Sequence, residues 1–381
     1  YKNTLGLKNC SMLTWLEIDS RAIKHNLRQF KKVADRKVMI MPVIKANAYG
    51  HGFLTIAKIC QKSDAVARIC VVSLDEALDL IKNKLAKKPI MILSFFDQDE
   101  KKLALAIKNN IIFPLYSLEN AKLFNKVGER VNKKVKVHLK IDTGASRLGI
   151  LPAEALGFVN VVKKYKKLDL EGIWSHFASS EDDFVYTKNQ HEIFKSVCEN
   201  LTKHNINIPI RHIACSAAGM AYKFTHENAL RLGLSLYGLY PTNNHKIAIK
   251  LKPVLSWYTT IIQVKTLPAG VKIGYGGTHT TNRPTKIAIL PVGYWDGYDR
   301  RLSNRGYALI KGERCPILGR VCMNICMVDV TNLAVKAGDK VTLIGKDKSK
   351  NISVDDLAKW CETINYEIAD RINPLLPRIE K

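Results

Sequence analysis

The chain has 381 residues, enough for two domains, and its 46% hydrophobic content is ordinary for a globular protein. No run of eighteen or more uncharged apolar residues occurs, so a membrane span is not expected, and residues 1–12 (YKNTLGLKNCSM) lack the apolar core of a signal peptide, which points to a cytoplasmic protein. The net charge of +26 is spread in runs such as IKNKLAKK (81–88) and VVKKYKK (161–167) that alternate with apolar residues, as solvated faces do, and the nine cysteines form no CxxC pair; neither a nucleic-acid footprint nor a metal set is expected.

The first expected element is a strand, TWLEI (14–18), open to pairing with either half of the chain. A helix follows over SRAIKHNLRQFKKV (20–33), with Ser20 or Asp19 placed to cap it. From residue 38 to about 240, β-branched apolar runs alternate with amphipathic patterns such as SLDEALDLIKNKL (73–85). The runs are VMIMPVIK (38–45), ICVVS (69–73), PIMILSF (89–95), IIFPLY (111–116), KVHLKID (136–142), GIWSHF (172–177), IRHIAC (210–215) and a last one near 228–232. Eight strands apolar on both faces, with helices between them, imply a closed parallel barrel rather than an open sheet. After about residue 250 the helical period disappears, and strand-like runs separated by Gly and Asn/Asp turns take over. The expected class is therefore α/β: an eight-stranded (β/α) TIM-type barrel over 1–250, then a mostly-β domain over 251–381. The first fifteen or so residues are open to association with the β domain.

In such a barrel the working residues gather at the C-terminal ends of the strands. Lys45 closes the first apolar run, Arg147 follows the fifth, His176 ends the sixth, Ser216 ends the seventh, and Arg231 with Gly233 lies at the eighth. A lysine closing an apolar strand loses hydration, which lowers its pKa and makes the neutral amine a nucleophile. The glycines of NAYGHG (47–52) allow close backbone approach to a ligand, with Tyr49 standing over it.

PVIKANAYGHG (42–52), KIDTGASRLG (140–149), GIWSHFASSED (172–182), HIACSAA (212–218), RLGLSLYG (231–238), IGYGGTH (273–279), VGYWDGYDRRL (292–302), LGRVCMNICMVDV (318–330) and INYEIADRI (364–372) occur in this order. Together they resemble the alanine racemase family of fold-type III pyridoxal-phosphate enzymes, over nearly the whole chain. The resemblance implies that Lys45 holds pyridoxal 5'-phosphate as a Schiff base and that Tyr275 is the base on the opposite face. Racemisation needs an acid/base on each face of a planar centre. It further assigns Ser216, Gly233, Leu234 and Tyr366 to the phosphate, Tyr49 to the cofactor's surroundings, and Arg231 to the pyridine nitrogen. Arg147 falls near the phenolic oxygen and the substrate carboxylate. His176 links the tyrosine base to Arg231, with His212 in the same network, and Lys140 matches a lysine carbamylated in many relatives.

Met323 and Tyr294 match residues that crowd the substrate from the other subunit, implying a homodimer with shared sites. The implied reaction interconverts L- and D-alanine and supplies D-alanine for peptidoglycan, with no nucleic-acid or membrane partner. Alternatives are a serine or broader racemase, and a fold-type III decarboxylase, which should carry an acidic partner where Arg231-Leu232-Gly233 stands. Three positions depart from the family pattern: Asn324 for a usual aspartate, Cys215 where asparagine is common, and Ala145-Ser146 for a usual Met-Gly.

Overall fold

The computed structural model describes residues 12–241 and 249–381; residues 1–11, on which most of the leader-sequence expectation falls, lie outside the described residues. Strand β1 (Thr14–Ile18) precedes eight short parallel strands: β2 (Met39–Pro42), β3 (Ile69–Ser73), β4 (Ile90–Phe95), β5 (Phe113–Leu115), β6 (Val135–Lys140), β7 (Leu168–Trp174), β8 (Ile210–His212) and β9 (Ala229–Leu232). They form a closed ring. β3 pairs β4, β5 through β8 run as one sheet, and β9 returns to β2. Single bridges Val43–Cys70 and Met91–Ile112 close two of the remaining seams. The last seam is held by Asn228 N–H to Arg211 O and Arg231 N–H to Ala214 O.

The ring closes because its inward residues fill it. Met41, Val43, Cys70, Met91, Ile112, Trp174 and Ala229 pack as one buried cluster. Outside the ring, several helices start on a side chain that accepts an otherwise unpaired N–H. Ser73 caps Leu74–Lys82, Asp99 caps Glu100–Lys108, Ser117 caps Leu118–Arg130 and Asp183 caps Phe184–Lys203. Each such cap contributes on the order of 1 kcal/mol. The helix Ser20–Val33 has the expected bounds, although the Ser20 hydroxyl donates to the carbonyl of Lys381. Among the described residues no helix is long and apolar enough to cross a membrane.

The remaining strands are β10 (Leu255–Thr260), β11 (Gln263–Leu267), β12 (Lys272–Ile273), β13 (His279–Thr280), β14 (Thr285–Leu290), β15 (Tyr307–Ile310), β16 (Glu313–Pro316), β17 (Cys326–Asp329), β18 (Lys340–Asp347), β19 (Lys350–Ile352) and β20 (Arg378–Glu380). The main sheet runs β16-β15-β18-β10-β1-β20, and a second runs β11-β14-β17. The contacts divide the chain into two compact units, one through Ser20 with Pro253–Lys381 and the other spanning Arg21–Lys252. β1, open at the level of sequence, pairs antiparallel with β10 in the first of these.

The second half of the chain is not purely strands. Short helices occupy Val354–Trp360 and Asn365–Asp370. Seven and six residues are too few for a helical period to register. The start of the first was nonetheless marked: Ser353 Oγ accepts from Asp356 N–H, and the Asp356 carboxylate accepts from Ser353 N–H.

Candidate active site

Lys45 does not end a strand, as the apolar run suggested. β2 stops at Pro42, and Lys45 opens a turn in which Ala46, Asn47, Ala48 and Tyr49 all have φ between 51° and 55°. Left-handed backbone at four consecutive non-glycine residues costs roughly 1–2 kcal/mol each, so the surroundings have to hold it. The Glu76 carboxylate accepts from Ala46 N–H (2.8 Å) and from Val72 N–H (2.7 Å), tying the turn to the end of β3. Asn47 Oδ1 accepts from Phe53 N–H. His51 stacks on Tyr237, whose hydroxyl donates to Val43 O. The Lys45 ammonium lies 5.9 Å from the Tyr49 ring.

Facing this turn are the ends of β6 to β9. Arg231, on β9, is buried, and four of its five N–H groups are taken up. Nη1 donates to His212 Nδ1 (2.5 Å) and His212 O (3.3 Å). Nη2 donates to Ser175 O (2.7 Å) and Ile213 O (2.8 Å) and approaches His176 Nδ1 at 3.1 Å. Burial lowers the guanidinium only to about 10, so it remains charged. Burial, reinforced by Arg231, holds both His176 and His212 well below the ordinary imidazole range, leaving them neutral and able to accept.

Lys140, at the end of β6, stands 4.2 Å above the Trp174 ring, on which Arg231 also lies at 4.8 Å. Burial, then the charges of Arg231, Arg147 and Lys45, push the Lys140 ammonium down to about 7, with Asp142 opposing. Arg147 is solvent-exposed. Lys45, Arg147 and Arg231 therefore gather positive charge around Lys140, which favours an anionic ligand.

His176 lies two residues beyond β7, and Ser216 begins the helix Ser216–Ala221 rather than ending a strand. Ser216 Oγ accepts from Gly233 N–H (3.0 Å) and Ser235 N–H (3.4 Å), so both lone pairs are used and its own proton is directed elsewhere. A Cβ on Gly233 would sit 2.8 Å from the Tyr49 hydroxyl and 3.9 Å from Ser216 Oγ. The space beside these two hydroxyls exists because residue 233 has no side chain. Leu234, next in the chain, is buried. Of the departures from the family pattern, Cys215 finds a partner in Ser180, whose Oγ lies 3.2 Å from its sulfur.

Tyr275, Tyr294, Met323 and Tyr366 belong to the other unit. Tyr275 is 73% exposed, held out by a turn in which Gly274, Gly276 and Gly277 all have positive φ, and Gly276 packs against the Arg320 guanidinium. Tyr294 N–H donates to Cys322 O and Trp295 N–H to Met323 O, which sets Tyr294 beside Met323. Tyr275, Tyr294, Trp295 and Met323 are thus exposed on adjoining loops, linked through 319–323. Tyr366 is half-buried in Asn365–Asp370.

Sequence reasoning missed three residues here: Trp174, which floors the cation cluster, and His138 and Glu171, which extend the Arg231–His212 contact across the barrel. His138 Nδ1 lies 2.8 Å from His212 Nε2, and His138 Nε2 lies 3.3 Å from Glu171 Oε1. The available signal was that His138 and Lys140 alternate on one strand and so face the same side.

A (β/α)8 barrel with a cation-lined site at its strand ends, joined in sequence to a β unit, defines the class of protein. Residues 18–241 match the description "Alanine racemase, N-terminal domain" and residues 254–380 "Alanine racemase, C-terminal domain". An alanine racemase of Methanococcus maripaludis is 40% identical over 96% of this chain and 98% of its own, and one of Halothermothrix orenii is 41% identical over 97% of each. The solved alanine racemase of Clostridium difficile 630 superposes with a TM-score of 0.91 at 32% identity, covering 98% of this chain and 97% of its own. That of Bacillus anthracis, with bound L-Ala-P, gives 0.90 at 32%, covering 98% and 96%. The chain belongs to the alanine racemase family.

Proposed function

We propose that this chain interconverts L- and D-alanine with pyridoxal phosphate as its cofactor, Lys45 holding the cofactor and Tyr275 acting on the opposite face. The observation that carries this reading is Arg231. It is buried and charged, and among the described residues no carboxylate pairs with it; its hydrogen bonds to His212, Ser175 and Ile213 run through Nη1 and Nη2, not Nε. An arginine there keeps its own proton, where the acidic partner of a decarboxylase would hand one to the ring nitrogen.

The residues fit the cofactor. Lys45 offers an amine, Ser216 a hydroxyl proton, the turn after Gly233 the backbone N–H of Leu234, and Gly233 leaves space that a Cβ would fill. When bound, pyridoxal phosphate supplies an electron sink that acidifies the substrate's Cα–H. Lys45 Nζ holds or returns that proton on one face, and the Tyr275 hydroxyl does so on the other. Two proton holders on opposite faces invert the centre, whereas one alone only exchanges the proton. Arg147 meets the substrate carboxylate, and His176, neutral and accepting from Arg231 at Nδ1, has its proton on Nε2 to donate to the tyrosine oxygen.

Lys140 is read as a carbamate. Its neutral amine nitrogen bonds to the carbon of carbon dioxide, an N–H proton leaves to solvent, and an anion results. The lowering of Lys140 to about 7 supports this, since the attacking amine has to be neutral, and the surrounding Arg147, Arg231 and Lys45 favour an anion. The exposed Tyr275, Tyr294 and Met323 support a homodimer in which these loops complete the partner's site. Their bulk favours a methyl side chain over serine's hydroxymethyl.

Incubation with L-alanine and pyridoxal phosphate, followed by chiral analysis, is the test. Approach to equal amounts of the two enantiomers is expected. Release of carbon dioxide and an amine, or faster turnover of serine, would contradict the reading.

A further inference from the structure

We propose that Glu171 and His138 are positioning residues for Arg231. With His212 they form a one-way hydrogen-bond chain across the barrel interior that fixes which nitrogen of each imidazole carries the proton. The inference rests on the reading of Arg231 as the residue facing the cofactor's ring nitrogen.

The direction follows from the two ends. Arg231 has only donors, so His212 Nδ1, 2.5 Å from Nη1, presents a lone pair. Burial and neighbouring cations hold His212 and His138 below the ordinary imidazole range, so each ring carries one proton. His212 therefore has its proton on Nε2 and donates it to His138 Nδ1 at 2.8 Å. His138 in turn has its proton on Nε2, facing Glu171 Oε1 at 3.3 Å. Arg68 Nη1 is also 3.3 Å from His138 Nε2, but meets an N–H there and gives its bond to Glu171 at 2.5 Å. The reverse order would set an imidazole N–H against an arginine N–H across 2.5 Å. Only one order satisfies a chain that begins on a pure donor and ends on a pure acceptor. Because the guanidinium keeps its proton, the chain sets orientation and delivers no net proton to the site.

Two further observations show that the fold accommodates this chain. Gly172 on β7 is the register partner of His138, and a Cβ there would lie 2.2 Å from His138 Nδ1, so the imidazole occupies the space a side chain would take. Glu171 is mostly buried, which alone would favour its neutral form. Hydrogen bonds from His138, Lys136 and Arg68 outweigh that and hold the carboxylate well below its usual range, keeping the acceptor end ionised.

The test uses the holoenzyme with ring-¹⁵N-labelled histidine in the wild type, Glu171→Gln and Glu171→Leu. In the wild type both His138 and His212 should show a pyridine-like Nδ1 and a protonated Nε2. Glu171→Gln keeps a carbonyl oxygen as acceptor and should retain both tautomers and most of kcat. Glu171→Leu should lose the tautomer preference and lower kcat roughly ten- to a hundred-fold, the range for removing outer partners of a functional imidazole. KM should change little, because Arg147 rather than Arg231 meets the substrate. A wild-type His212 protonated at Nδ1 overturns the proposal whether or not the variants fold. Equal loss of kcat in Gln and Leu, or unchanged tautomers in Leu, also overturns it. An enzyme inactive on alanine that shows the locked tautomers, and loses them in Leu, supports the chain and fails the racemase reading.

Discussion

The two units supply opposite kinds of chemical group. In the barrel Arg231 is 3% exposed and Lys140 6%, and burial lowers the pKa of both, with Arg231 lowering Lys140 further, while Arg147 stays exposed. In the other unit Tyr275 is 73% exposed and Met323 54%, standing on glycine-rich or tightly bonded turns. A buried polar group has to have its partners within its own unit, and Arg231 has them in His212, Ser175 and Ile213. Large exposed side chains on rigid turns are the ones the proposed homodimer would cover.

The largest effects should come from removing one proton holder on each side of this comparison. Lys45→Ala is expected to reduce racemisation by about 10³-fold or more, and to remove the borohydride-fixed cofactor from the peptide containing residues 42–52. Tyr275→Phe should lower kcat by about 10²- to 10⁴-fold while cofactor loading, read from its absorbance, stays intact. If Tyr275→Phe keeps full activity, the exposed loop has no chemical part. Gly233→Val tests the packed side alone. Its side chain would run into the Tyr49 hydroxyl, and a strain of about 1–3 kcal/mol should weaken cofactor binding roughly ten- to a hundred-fold by titration.

The smallest effect concerns Lys140. Its folded pKa is lowered from 10.5 to about 7, so between those values the unfolded chain binds a proton that the folded chain does not. Its contribution to stability therefore rises with pH through that window and is least below about pH 7. In carbon-dioxide-free buffer, Tm should increase less between pH 7 and 9 in Lys140→Met than in the wild type. Equal slopes would show that burial does not tune this amine.

Legibility in the sequence followed the same division. The barrel strands were readable because parallel strands buried on both faces are continuous apolar runs. The first run hid its own end, since Val43 and Ile44 stay buried after β2 has stopped, and composition cannot separate a buried turn from a buried strand. β7 begins at Leu168, before the apolar run at Gly172, because its first half is only half-buried and carries Asp169 and Glu171. Glu171 therefore falls just outside the apolar run that marks this strand, and no local pattern ties it to His138. That link joins strands through a register shift between Val137 and His138. Tyr275 was legible only through its motif, because an exposed residue on a glycine turn leaves no trace in hydrophobic periodicity.

The claim that the two units contribute one base each, across a dimer, is tested most directly by mixing two inactive chains. Lys45→Ala retains Tyr275, and Tyr275→Phe retains Lys45, so a mixed dimer with shared sites contains one intact site. After demonstrated subunit exchange at equal amounts, the account predicts recovery of about a quarter of wild-type activity, one working site in the half of dimers that are mixed. No recovery despite exchange would contradict it, placing both bases within a single chain.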